Sequence, residues 1–194
     1  MNSTPIIATL TPRQADLRDE LVSLFLRNGF RDLSLDDIAA QLSCSKRTLY
    51  ALASSKEQLV VLAVREFFRA ATEQVESAIA RTRAPGRRLT GYLEAVAAAL
   101  APASRKFTDD VAAFAPAREI YEHNTEAAAR RVRELIDEGR AAGAFRTVHS
   151  TFVAEVVTAT MRRITSGELA GATGLDDAAA YRELAKLVLA AVRR

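Results

Sequence analysis

An all-α fold is predicted by three observations. Ala, Leu, Arg and Glu dominate the 194 residues, with only eight Gly, five Pro and no Trp, a composition suited to packed helices. Apolar residues recur at i, i+3, i+4 and i+7 along most of the chain, the spacing of one helix face. Several Gly and Pro fall where these stripes stop, and Ser or Thr stands where they begin, as helix ends require.

The first helix opens at Thr11-Pro12-Arg13-Gln14, a capping box with Pro at the first helical position. Leu17, Leu21, Leu24 and Phe25 share its buried face. Asn28-Gly29 stops it, with Gly29 expected as a left-handed residue after the helix. Ser34 then caps a short second helix whose first turn carries Asp36 and Asp37, where the helix dipole favours negative charge. Leu35, Ile38, Ala39 and Leu42 form its stripe. Ser43-Cys44 is read as a turn, and Ser45 as the cap of a third helix held down by Leu49 and Leu52. Ser55-Lys56-Glu57-Gln58 is a second capping box, opening a fourth helix expected to reach about Arg83 before Pro85-Gly86 breaks it.

Residues 45–50 place two cations, two hydroxyls and a phenol on the tip of a short helix with an apolar underside. A helix of that kind suits the major groove of DNA. Arg47 is the candidate for base reading, bidentate to a guanine, and Lys46 for a base or a phosphate. Ser45, Thr48 and Tyr50 can donate to phosphates, and Lys56 adds a cation at a helix start. Singly, each residue also has a structural reading, as a cap or part of a solvated face. Net charge does not make this argument: residues 1–58 carry seven Lys and Arg against seven acids, and the whole chain is +3. Local placement does, since Ser45 to Lys56 contains no acid.

The order of these elements resembles the DNA-binding domain of the TetR family of bacterial transcriptional repressors. The resemblance runs over about residues 12–65: a first helix ending in N-G-F, then L-D-D-I-A-x-x-L, a short turn, S-K-R-T-L-Y and S-K-E-x-L. Arg47 stands where that family commonly has Gly or Ala, which adds base-reading capacity. The resemblance implies a helix-turn-helix domain over 11–58 and a helical ligand-binding and dimerisation domain over 59–194, with 1–10 as a flexible arm. It also implies operator DNA, a small-molecule effector and a second copy of the chain as partners.

About nine helices are expected in all. The fifth covers about 87–100, with Leu89, Leu93, Val96 and Leu100 in line, and Pro102 ends it. The sixth carries Phe107, Val111 and Phe114; the seventh starts near Pro116 and ends near Gly143. The eighth spans about 149–167, with Val153, Val157, Thr160 and Ile164 in line. A Gly-rich loop from Gly167 to Gly174 separates it from the ninth, about 176–193. Helices eight and nine have wide apolar faces bearing small residues, Ala154, Ala159, Ala185 and Ala190 among them. They are the expected dimer surface, because two recognition helices on a two-fold axis read a palindromic site far better than one.

An effector pocket is expected between helices four to eight, with Phe67, Tyr92, Phe107, Phe114, Tyr121 and Met161 as candidate lining residues for a hydrophobic or aromatic ligand. Glu119 and His123, one turn apart, with Asp110 nearby, fit a solvated ion pair better than a metal site, and no metal or cofactor is expected. No G-x-S-x-G, H-E-x-x-H, Walker or dinucleotide fingerprint is present, and an enzyme is not expected. The single Cys, Cys44, precludes an internal disulfide and reads as a packing residue in a cytoplasmic protein. No run approaches the ~18 apolar residues of a membrane span, and MNSTPIIATL lacks the basic start of a secretory signal. The competing reading is a helical ligand- or protein-binding adaptor with vestigial DNA binding.

Overall fold

The computed structural model describes residues 11–194, so the arm expected over 1–10 lies outside it. The described residues form ten helices: α1 (Pro12–Asn28), α2 (Leu35–Gln41), α3 (Lys46–Tyr50), α4 (Lys56–Ile79), α5 (Pro85–Leu100), α6 (Arg105–Ala113), α7 (Ala115–Ala141), α8 (Ser150–Thr165), α9 (Glu168–Thr173) and α10 (Asp177–Val192). The all-α expectation holds.

The caps explain the starts. The Thr11 hydroxyl accepts from the Gln14 N–H while the Gln14 side chain accepts from the Thr11 N–H. Ser34 and Asp37 form an equivalent box that the sequence reading missed, because Asp at that position is less usual than Glu or Gln. At α4 only half of the expected box forms. Ser55 accepts from the Gln58 N–H, but the Gln58 side chain reaches one residue further back, to the Ser54 N–H at 3.1 Å. α4 also ends earlier than expected. The Thr82 N–H closes a tight turn on the Ile79 carbonyl at 3.0 Å, and Pro85 disfavours helical backbone at the residue before it.

The tenth helix is α9, inside the segment expected to be a loop. Gly167 and Gly174 flank it with φ of 68° and 73°, so the two glycines act as terminal caps. Glu168, Leu169 and Ala170 between them are good helix formers. The ninth helix of the sequence reading is therefore α10.

Two buried clusters divide within α4. One gathers Leu21 and Phe25 of α1, Ile38 of α2, Leu49 of α3, and Leu59, Val64 and Phe68 of α4. It also takes Phe107 and Val111 from α6 and Ala117 from α7, so the N-terminal domain completes its core with later residues. The other runs from Ala71, Val75 and Ile79 through α5, α7 and α8 to α10. Each fully buried Leu or Ile contributes roughly 1.5–3 kcal/mol. α10 packs most extensively on α5, and α7 on α8. Gly139 of α7 lies against the Phe145 ring so closely that a Cβ would overlap it, which lets the chain fold back beside α7. The Arg146 N–H then donates to the Val192 carbonyl at 2.9 Å, fixing the C-terminal end of α10.

No helix among the described residues is long and apolar enough to cross a membrane.

Candidate nucleic-acid interface and ligand cavity

The third helix is short, five residues, and its geometry follows from its two ends. The Ser45 hydroxyl accepts from the Thr48 N–H at 3.1 Å and lies 2.8 Å from the Thr48 hydroxyl. Leu49 is fully buried beneath it, and the Gln14 side chain donates to the Ala51 carbonyl at 3.4 Å, tying its end to α1. Ser43, in the connection from α2, has φ of 49°, a left-handed conformation in which a non-glycine residue is strained. Cys44 is partly buried against the N-terminal core. Burial, then the Glu20 carboxylate, pushes its thiol above the ordinary value, which disfavours a reactive thiolate.

Ser45, Lys46, Arg47 and Tyr50 are exposed, and Thr48 is half-buried. Two of the expected cations already have partners. The Lys46 ammonium pairs with Asp36 of α2 at 2.8 Å, which raises its pKa by hydrogen bonding and charge. Lys56 donates to the backbone carbonyl of Arg31 at 2.9 Å. Arg47 has no carboxylate within 4 Å among the described residues. The charge of Lys46 is thus shared across α2 and α3, a pairing that residue spacing along one helix could not reveal.

The loop between α1 and α2 is held from the other domain. Asp110 of α6, only 6% exposed, accepts from the N–H groups of Phe30 at 2.6 Å and Arg31 at 3.0 Å through one carboxylate oxygen. Gly29 precedes them with φ 70° and ψ −172°. Its φ is positive as expected, but its ψ lies outside the left-handed helical region, because the chain turns outward to meet the carboxylate. A Cβ on Gly29 would overlap Asp110. Asp110 was singled out in the sequence for possible metal chemistry; the structure makes it a backbone acceptor. Glu119 and His123 are both exposed, and no cluster of three metal-ligating side chains occurs among the described residues.

Two adjoining cavities lie in the C-terminal half. The first, about 220 Å³, is enclosed by α4, α5, α7, α8 and α10 and includes Tyr92, Tyr121 and Met161 of the expected set. The second, about 430 Å³, extends towards α6 and includes Phe67, Phe107 and Tyr121. Phe114 lies in neither. It caps the end of α6, edge-on to Phe30 at 6.2 Å, beside a smaller cleft that also touches Lys56. Phe68, Glu76, Arg131 and Tyr181 line the first cavity as well. Sequence reasoning missed Glu76 and Arg131 because they meet across α4 and α7, with Arg131 Nε 2.8 Å from Glu76 Oε1.

Residues 17–63 match the model of a family described as bacterial regulatory proteins, tetR family. The N-terminal domain belongs to the TetR family. The helix-turn-helix of α2 and α3 falls inside that match. A comparison with curated protein sequences finds no match. Among solved structures, a protein of Saccharomonospora viridis described as a transcriptional regulator, in complex with choline, is similar at 16% identity and a TM-score of 0.77, over 94% of this chain and 98% of that one. The fatty acid degradation regulator of Bacillus halodurans is similar at 15% identity and 0.73, over 94% and 97%. The ketosteroid transcriptional regulator of Mycobacterium tuberculosis is similar at 18% and 0.63, over 96% and 97%. At these identities the likeness is one of fold, and it extends over nearly the whole chain.

Proposed function

We propose that the chain is a cytoplasmic repressor that binds palindromic operator DNA as a homodimer and leaves it when a small apolar ligand occupies the cavities of the C-terminal half. In this reading residues 11–58 read DNA and 59–194 bind the ligand and the second subunit. One observation carries most of the weight. Among the described residues, the exposed large hydrophobics are Tyr50, Phe152, Val156 and Leu187. The first is on the recognition helix, and the other three are on α8 and α10.

On α8, Phe152, Val156 and Ala159 are exposed in one stripe; on α10, Leu187 and Ala190 are. Ala154 and Ala185, expected on the same surface, are buried inside the subunit. An exposed stripe of this kind rimmed by Glu155, Arg163, Glu183 and Lys186 fits an isologous contact with a second copy. At the other end Arg47 and Tyr50 face solvent on the tip of α3, where a guanidinium suits a guanine edge and a phenol a phosphate. Lys46 exchanges Asp36 for a phosphate or a base, and Lys56 keeps two of its three N–H donors for phosphate while holding Arg31.

The ligand acts by favouring a state with different spacing between the recognition helices, which otherwise sit about 34–36 Å apart, one DNA turn. The structural neighbour in complex with choline supports a small-molecule ligand for this fold.

The test is fluorescence anisotropy of the purified protein on DNA from its own promoter region, across a salt series. The expected result is tight binding that weakens steeply with salt. Arg47→Ala should relax sequence preference, and Lys56→Ala should weaken all sequences alike. Binding to the promoter no better than to random DNA would favour the adaptor reading instead.

A further inference from the structure

The two cavities share one wall, made of Phe68, Leu100, Tyr121, Thr165 and Tyr181. Tyr181 is 2% exposed, and its hydroxyl has no hydrogen-bond partner among the described residues. Thr165 is its polar neighbour, but that hydroxyl donates to the Met161 carbonyl at 3.0 Å and does not reach hydrogen-bond geometry with the phenol. A buried, unpaired hydroxyl destabilises the protein unless a ligand supplies the missing acceptor. Three of the four tyrosines of the chain, Tyr92, Tyr121 and Tyr181, line the first cavity.

Charge narrows the ligand further. The one carboxylate lining the first cavity among the described residues is Glu76, and Arg131 holds it through Nε at 2.8 Å and Nη2 at 3.2 Å. Arg162 lines the same cavity and has no carboxylate within 4 Å among the described residues. Arg131 also pairs with Glu134 at 3.0 Å and Glu138 at 3.5 Å, so a cation entering there would meet a carboxylate already engaged and, in Arg162, an unpaired guanidinium. Asp176 and Asp177 belong to the second cavity, at its exposed rim with Arg105, and Asp176 is committed to the Ala179 N–H at 2.7 Å. The inner wall of the second cavity is apolar: Phe67, Phe107 and Val111.

Building on the ligand-responsive reading above, we propose that the effector is an elongated, mainly apolar molecule that spans both cavities and carries a carbonyl or carboxylate oxygen, which accepts a hydrogen bond from the Tyr181 hydroxyl. Its apolar body reaches Phe107 and Val111 on α6, the helix whose Asp110 holds the loop of the DNA-binding domain. A cationic head group is disfavoured by the unpaired Arg162.

Isothermal titration calorimetry on the full chain tests this with decanoate, hexanoate and decyltrimethylammonium, each below its micelle concentration. Decanoate should bind once per chain, and the cation of equal chain length at least tenfold more weakly. Tyr181→Phe should weaken decanoate about five- to tenfold while leaving the melting temperature unchanged or higher, since the lost hydroxyl had no partner. Ala101→Trp, at an exposed position on the rim of the second cavity, should weaken decanoate and spare hexanoate. Absence of decanoate binding, equal binding of the cation, or unchanged decanoate affinity in Tyr181→Phe would each overturn the proposal. Operator binding is measured separately. Decanoate bound without release of DNA leaves the ligand assignment standing and removes ligand release from the proposed function; intact operator binding without decanoate binding does the reverse.

Discussion

Arg31 is held through its main chain from two sides. Its N–H is donated to Asp110 of α6 and its carbonyl accepts from Lys56 of α4. Removing the α6 side leaves the N–H of Phe30 buried without an acceptor. Asp110→Ala should therefore cost about 2–3 kcal/mol of stability, measurable by urea unfolding, and Asp110→Asn, which keeps an oxygen acceptor, distinctly less. Gly29→Ala should be at least as damaging, about 2–4 kcal/mol, because the backbone conformation there is nearly restricted to glycine and the added methyl overlaps Asp110. Equal stability of Gly29→Ala and the parent in the same assay would refute that close approach.

The tyrosines of the cavity predict an alkaline transition. Burial pushes the Tyr181 phenol up to about 12 from an ordinary value of 10.0, and burial also raises Tyr92. The folded state therefore holds protons that the unfolded chain releases. The stabilisation is complete below pH 10 and is lost as pH rises towards the folded value. Melting temperature should fall between about pH 10 and 12, and less steeply in Tyr181→Phe. An identical slope for both proteins would show that Tyr181 does not contribute.

At the scale of elements, the recognition helix and its neighbours were largely legible. Thr11, Ser34, Ser45 and Ser55 all act as caps where the sequence placed them, because capping depends on residues three apart and needs no tertiary information. What remained hidden was whatever joins two elements. The Asp36–Lys46 pair, the Lys56–Arg31 contact and the Asp110 carboxylate each bridge different helices or loops. α9 was hidden for another reason: Gly167 and Gly174 signal a loop when read as a cluster, and become helix caps once a helix of six residues lies between them. The cavity residues were legible only in part. Tyr92, Tyr121 and Met161 lie on the walls of the first cavity, whereas Phe114, with the same sequence spacing as Phe107, turns to Phe30. Substituting Arg47 by Ala should cost about 1–3 kcal/mol at the base pair it contacts, read as a loss of discrimination in anisotropy competitions.

At the scale of the whole molecule, the division of the buried core within α4 makes one helix common to both halves. In the proposed mechanism, displacement of its C-terminal part by a ligand against Phe68 and Val75 would reach Leu59 and Val64, which share a buried cluster with Leu49 of α3. In the proposed dimer, the α8–α10 stripe would fix the spacing between two such units. Leu187→Glu or Phe152→Glu should weaken self-association at least a hundredfold, since each change acts twice across a two-fold interface and each apolar side chain there is worth about 1.5–3 kcal/mol of burial. Sedimentation velocity would show the shift, and an unchanged sedimentation coefficient would place the interface elsewhere.

The Asp110 carboxylate touches its partners only through main-chain N–H groups. The side chains at 30 and 31 do not enter that bond, and neither does any residue of Lys46–Tyr50. The vocabulary of the DNA half is thereby separate from its grammar. Under the proposed function, a foreign recognition helix grafted onto residues 46–50 with Leu49 kept in the core would address a different set of promoters while obeying the same chemical signal, so operator choice and effector response would be free to drift, or be engineered, independently.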